Sequence, residues 1–176
     1  MAITKIAQVD VGAGGAASID FTSIPGTYTD LMVVTSLKNS SQSLTQTLIR
    51  FNSDSGSNYT WRWLRGTGSA ADSTNNATWG DSTAIYVSYH DNVNYNNGSI
   101  YIPNYASATA KSVSSDGVEE QNTSAAYQLI SAGTWSGTAA ITSISVIKSS
   151  GTGFAQYSSA TLYGISKSGA TGATVA

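Results

Sequence analysis

The chain has no cysteine, one histidine, two prolines, and only eight basic and ten acidic side chains among its 176 residues. Without thiols there can be no disulfide scaffold, no thiolate nucleophile and no cysteine-ligated zinc. A single imidazole is too few for a histidine-rich metal centre. Charged residues make up 10% of the chain, against about 25% in an ordinary soluble domain. The net charge of −2 gives no basic surplus with which to hold nucleic acid or an anionic membrane. Long hydrophobic runs are missing too. The longest clean block, Leu31-Met32-Val33-Val34, is the size of a strand, far short of the ~20 residues that cross a bilayer. The start, Met1-Ala2-Ile3-Thr4-Lys5, carries no apolar stretch of secretory length, so synthesis and assembly in a cytoplasm are expected.

What fills the chain instead is hydroxyl, amide and glycine: 29 serines, 21 threonines, 11 asparagines and 17 glycines. Hydrophobic residues nevertheless reach 40%, including four tryptophans, ten tyrosines and three phenylalanines. That is too much apolar material for a disordered linker, and the length suits one domain with a core of its own.

The prevailing period is two. Ala17, Ile19 and Phe21 alternate with polar neighbours, as do Tyr59, Trp61 and Trp63, then Ile85, Val87 and Tyr89, then Ile100 and Ile102, then Ile144 and Val146. Alternation sends successive side chains to opposite faces of a sheet, one buried and one wet. Turn chemistry separates the runs at Ile24-Pro25-Gly26, Ser53–Gly56, Asn96-Asn97-Gly98, Ser115-Asp116-Gly117, Ser150-Gly151 and Thr152-Gly153. The short spacing leaves no room for crossover helices. It predicts an all-β fold, an antiparallel β-sandwich of jelly-roll type with about ten strands. Residues 1–165 form the single domain, and 166–176, small and low in complexity, form a flexible or partner-ordered tail. Val118, Asn122, Ala125, Ala126, Leu129 and Ile130 also fit a helical period. The strand alternative, with Tyr127 and Leu129 facing inward, agrees better with the rest of the chain. Residues 68–82 read as a long polar loop of the kind that is usually functional or mobile.

Several motifs touch on chemistry and each has a plainer explanation. Gly12-Ala-Gly14-Gly15-Ala-Ala17 matches a dinucleotide fingerprint, but an alternating strand follows it where the fingerprint needs a helix. It reads as a glycine-rich hairpin. Ser145-Val-Ile-Lys148 has the spacing of a serine nucleophile with a lysine base, yet in a strand the two would point to opposite faces. Asn52-Ser-Asp54-Ser-Gly56-Ser-Asn58 resembles a calcium loop without the closing glutamate and reads as a tight hairpin turn, the alternative being a weak surface cation site. Glu119 and Glu120 are adjacent and diverge. Asp54, Asp72, Asp81, Asp91 and Asp116 lie in turn-rich sequence, where carboxylates cap backbone amides. His90 has no implied partner for a nucleophilic triad. The expectation is a protein with no catalytic, cofactor-binding or metal-binding residues.

Tyr59-Thr-Trp61-Arg62-Trp63-Leu64-Arg65 is the most informative stretch. Tyr59, Trp61, Trp63 and Arg65 share a face that can stack on sugars or anchor a partner. The competing reading makes this face core, with Arg62 and Arg65 reaching outward at its edges. Trp79, in the long loop, and Trp135 are expected to be exposed or at a subunit boundary. Trp79, Trp135, Trp61, Trp63 and Arg65 are thus the candidate partner or glycan contacts.

The stretches Ser18–Leu31, Ile49–Tyr59 with Leu64-Arg65-Gly66, Ile100–Tyr105 and Ala160–Ile165 resemble a family of tailed-bacteriophage virion proteins. The likeness runs from about residue 17 to residue 165, and its motifs are turns and strand ends. It implies a non-enzymatic β-sandwich component of the virion: a capsid decoration (cement) protein, or alternatively a tail-fibre or receptor- and glycan-binding module. A compact single domain suits decoration. The implied partners are the major capsid protein and other copies of this chain, as a homotrimer or homodimer, with no cofactor, nucleic acid or membrane. The implied location is the virion, and the terminal segments or the polar loop are the expected shell contacts.

Overall fold

The computed structural model describes residues 1–41, 44–76, 82–121 and 126–166. These residues form twelve strands and no helix: β1 (Ala2–Asp10), β2 (Ile19–Phe21), β3 (Asp30–Leu37), β4 (Leu44–Phe51), β5 (Tyr59–Gly66), β6 (Ala71–Asn76), β7 (Ile85–Asp91), β8 (Asn96–Ile102), β9 (Lys111–Glu119), β10 (Tyr127–Trp135), β11 (Ile144–Lys148) and β12 (Ser159–Ser166). All pairings are antiparallel. An eight-stranded sheet runs β1-β12-β3-β8-β9-β10-β5-β6, and a four-stranded sheet runs β2-β11-β4-β7. The fold is all-β, with two sheets packed as a sandwich.

The core lies between the sheets. Val33, Ile100, Val113 and Leu162 from the large sheet meet Ile19, Ile49, Ile85 and Val146 from the small one, all at most 4% exposed. A smaller cluster of Tyr86, Tyr89 and Leu129, flanked by Trp61, Trp63 and Tyr127, closes one end. Residues at the two ends of the fold meet at one edge of the large sheet. β1 pairs with β12 from Ala2↔Ser166 to Asp10↔Ser159, with a shift between Lys5 and Ala7.

Several expectations need correction. Twelve strands replace about ten, partly because the stretch read as a polar loop contains β6, which pairs with β5 from Trp61↔Asn76 to Gly66↔Ala71. Its polar residues can form a strand because β6 is an outer edge, where neither face is covered. Neither Asn96-Asn97-Gly98 nor Ser115-Asp116-Gly117 is a turn. They lie inside β8 and β9, where Gly98 pairs with Gly117. A Cβ on Gly117 would fall 2.4 Å from the Ser88 Cβ. Glycine is used there to let β7 approach the large sheet, and no turn conformation is involved.

β7 is also not half-wet. All seven of its residues are buried, because it lies beneath β9 and β10. Ser115 Oγ donates to the Val87 carbonyl at 2.9 Å and Ser131 Oγ to the Tyr86 carbonyl at 2.5 Å, which satisfies backbone groups that an edge strand would otherwise leave unpaired. Between Glu119 and Tyr127 the strand reading holds on both sides: Tyr127 is half-buried and Leu129 buried. Positions 122–125 lie outside the described residues.

Candidate interaction face

The aromatic residues of β5 point inward. Tyr59 is fully buried, while Trp61, Trp63 and Arg65 are half-buried and Arg62 and Leu64 are exposed. Trp61 packs on Tyr86 at 5.4 Å between ring centroids and donates from Nε1 to Ser82 Oγ at 3.2 Å. Trp63 lies 6.2 Å from the same tyrosine ring.

Arg65 departs from the expectation of an edge side chain reaching outward. Its guanidinium carbon sits 4.9, 5.0 and 5.5 Å from the rings of Trp63, Tyr127 and Tyr89. It also donates to the Tyr89 hydroxyl at 2.8 Å and grips Asp72 with two parallel bonds of 3.0 and 2.6 Å. That fork holds the Asp72 carboxyl below its ordinary range and keeps the guanidinium charged. Asp72 therefore pairs across strands and caps no turn. Three of the five Arg65 guanidinium N–H donors are thus engaged within the protein.

Trp135 is corrected outright. It is 4% exposed, packed on Phe51 at 5.7 Å and stacked on Tyr59 at 6.4 Å. Its Nε1 donates to Asp54 Oδ2 at 2.7 Å. Asp54 also accepts from the Gly56 amide and from Asn58 Nδ2. Burial raises the Asp54 carboxyl, but these donors outweigh it and leave the group below its usual range. The loop read as calcium-like is thus a turn whose carboxylate is already occupied by N–H groups. Trp79 lies outside the described residues.

The other reactive-looking motifs resolve locally. Gly15 donates its amide to the Gly12 carbonyl at 3.0 Å in a tight turn. Ser145 and Lys148 lie in β11. His90 is fully buried, bonded through Nδ1 to Thr47 Oγ1 at 2.8 Å. Burial, with Lys148 nearby, pushes its pKa down to about 4, so the ring stays neutral. Glu119 and Glu120 do diverge, one buried and one exposed. Burial pushes the Glu119 carboxyl up to about 7, helped by a hydrogen bond and a like charge from Asp91. No group of three or more His, Cys, Asp or Glu side chains placed to hold a metal occurs among the described residues.

With the inward residues accounted for, the outer face of the large sheet stands out. Cross-strand register lines up Lys5, Tyr163, Met32, Tyr101, Ser114, Ala132, Arg62 and Asn75 in one row. The next row, from β12 to β6, is Thr161, Val34, Ser99, Asp116, Ile130, Leu64 and Ser73. Eight strands at ~4.8 Å spacing and ~3.3 Å per residue make this face about 35 Å by 25 Å. Ile130 is 59% exposed and Leu64 55%. They lie beside each other in register and line an open groove of about 540 Å³ together with Arg62, Ser114, Ser73 and Asn75. The charges in these rows are Lys5, Arg62 and Asp116, and Asp116 is already engaged by the Ser99 hydroxyl. The parity of β5 could have revealed this face: if Trp61 and Trp63 face inward, Arg62 and Leu64 must face outward.

The chain matches no protein-family model, no curated protein and no solved structure.

Proposed function

We propose that this protein is a non-enzymatic structural component of a bacteriophage virion, a decoration protein that binds the assembled capsid shell and stabilises it. The observation carrying this reading is the outer face of the eight-stranded sheet. It is broad, mixes hydroxyl, aromatic and aliphatic side chains with the three charges of Lys5, Arg62 and Asp116 in its two central rows, and exposes Leu64 and Ile130 side by side. Its area is close to the ~800 Å² that each partner contributes to a standard protein interface. Docking it removes apolar surface from water without stripping hydration from many charges. A protein that binds the assembled shell and not its free subunits stabilises the shell by mass action. Several copies acting together, as in a dimer or trimer, strengthen weak single contacts.

The test is location and stoichiometry. In purified particles the protein should be present at a copy number comparable with the major capsid protein, and particles lacking it should lose their contents at lower temperature. A handful of copies per particle, confined to the tail, would sink the decoration reading and favour the tail-fibre alternative. Specific glycan binding that disappears when the groove is altered at Leu64 or Arg62 would point the same way.

A further inference from the structure

At the end of the sandwich away from Trp135, four polar residues from four strands or strand ends lie together with their side chains buried. Asp91 closes β7, Asn96 opens β8, Glu119 closes β9, and Asn39 lies just beyond β3. They are 0%, 4%, 1% and 1% exposed. The contacts among them are specific. Asn39 donates its backbone N–H to the Asp91 carbonyl at 2.5 Å. Asn96 Nδ2 donates to Asp91 Oδ1 at 3.2 Å, and the same oxygen takes the amides of Val93 and Asn94 at 3.1 and 3.2 Å. The Asn97↔Val118 pairing brings Glu119 beside Asn96, and the Glu119 and Asp91 carboxyl groups meet.

What is unusual is what remains. Asp91 Oδ2 and the Glu119 carboxyl oxygens have no partner beyond each other, and Asn96 Oδ1 and both amide atoms of Asn39 are buried with no hydrogen-bond partner in the protein. Buried polar groups are ordinarily satisfied, and leaving one unmet costs about 1–3 kcal/mol. A proton shared between the two carboxyls would engage Asp91 Oδ2 and one Glu119 oxygen and leave the other four atoms as they are. The sole ion pair among the described residues is Arg65 with Asp72, so no side-chain cation neutralises these acids. Five of the six atoms are oxygens, the donor type a hard cation takes.

We propose that Asp91, Glu119, Asn39 and Asn96 form an internal calcium site that ties the ends of β7, β8 and β9 to the segment after β3. The donor set is entirely carboxylate and amide oxygen, the chemistry Ca²⁺ takes at six to eight positions with tolerant geometry. Zinc would want nitrogen or sulfur. His90, the adjacent imidazole, projects from β7 to the opposite face, against Phe154. Mg²⁺ holds its own water and fits a closed nest of side chains poorly.

The experiment is thermal unfolding of the whole protein, stripped with EGTA and then titrated with CaCl₂, MgCl₂ or NaCl at matched ionic strength. Calcium at roughly a hundred times its dissociation constant should raise Tm by about 5 °C or more, with much smaller effects of the other two salts. Glu119→Gln should fold in EGTA at least as well as the parent, having lost a buried charge, and should lose the calcium response. Asn39→Asp, adding a third carboxylate, should tighten calcium binding several-fold by direct titration. An unmoved parent Tm in millimolar CaCl₂ overturns the proposal, as does a calcium shift that survives in Glu119→Gln.

Discussion

The two faces of the eight-stranded sheet are made by neighbouring residues of the same strands, yet they obey different rules. On β10, Leu129 is 1% exposed and Ile130 is 59% exposed. On β5, Trp63 packs against Tyr86 while Leu64 lies open beside Ile130. Inside, every polar group needs a partner and every methyl a neighbour. Outside, apolar side chains can stay exposed at little cost to the fold, and Leu64 and Ile130 do so side by side. Side-chain type alone therefore says little about these positions, and parity says a great deal.

Substitutions can break this contrast. Trp135→Ala should have the largest effect, destabilising by about 3–5 kcal/mol, because it empties the space between Phe51 and Tyr59 and strips Asp54 of its indole donor. Chemical denaturation would measure it. Gly133→Ala comes next at about 1–3 kcal/mol. Its new Cβ would lie 2.4 Å from Ile85 Cγ2 and 2.9 Å from the Thr60 carbonyl, and the backbone oxygen cannot swing away.

Acidification should reveal the Arg65–Asp72 fork at a smaller scale. Asp72 has a folded pKa below its unfolded one, so its contribution is present above the unfolded value and disappears as pH falls through the folded value. Stability profiles of the parent and of Asp72→Asn should converge in acid and separate above the ordinary carboxylate range. The smallest change in stability, within about 0.5 kcal/mol, is expected for Leu64→Ser combined with Ile130→Ser. The same pair should greatly weaken attachment to assembled shells, measured by co-sedimentation. A loss of stability from the outer pair equal to that from Trp135→Ala would erase the distinction between the faces.

The alternation of Tyr59, Trp61 and Trp63 is enough to foresee β5 but leaves open whether its aromatic side is core or contact. Turn chemistry marks Gly12–Gly15 and Ser53–Gly56 as turns, yet each passes the chain from one sheet to the other and neither closes the hairpin expected of it. Trp135 was misjudged because its strand hides its own period. The inward positions of β10 include Ser131 and Gly133, which carry no hydrophobic signal. Asn96-Asn97-Gly98 and Ser115-Asp116-Gly117 misled for the opposite reason. Glycine beside asparagine or aspartate ordinarily means a turn, whereas here it means that another strand passes close overhead. Asp91 and Glu119 could not be joined in advance, since their meeting depends on the register of β8 with β9 and on β7 packing beneath them. The groove beside Leu64 escaped notice because the polar stretch that forms one of its walls looked like a loop.

The pairing of β1 with β12 has a consequence for how the protein is made. Residues 2–10 leave the ribosome long before their partners, residues 159–166. Until then β1 is an unpaired strand with Ile3 exposed, and the far edge of the large sheet cannot be completed. Folding dominated by such distant contacts is slow, and waiting strands are prone to pair with the wrong chain. The many hydroxyls and few long apolar runs of this sequence would keep the nascent chain from aggregating while β1 waits for β12.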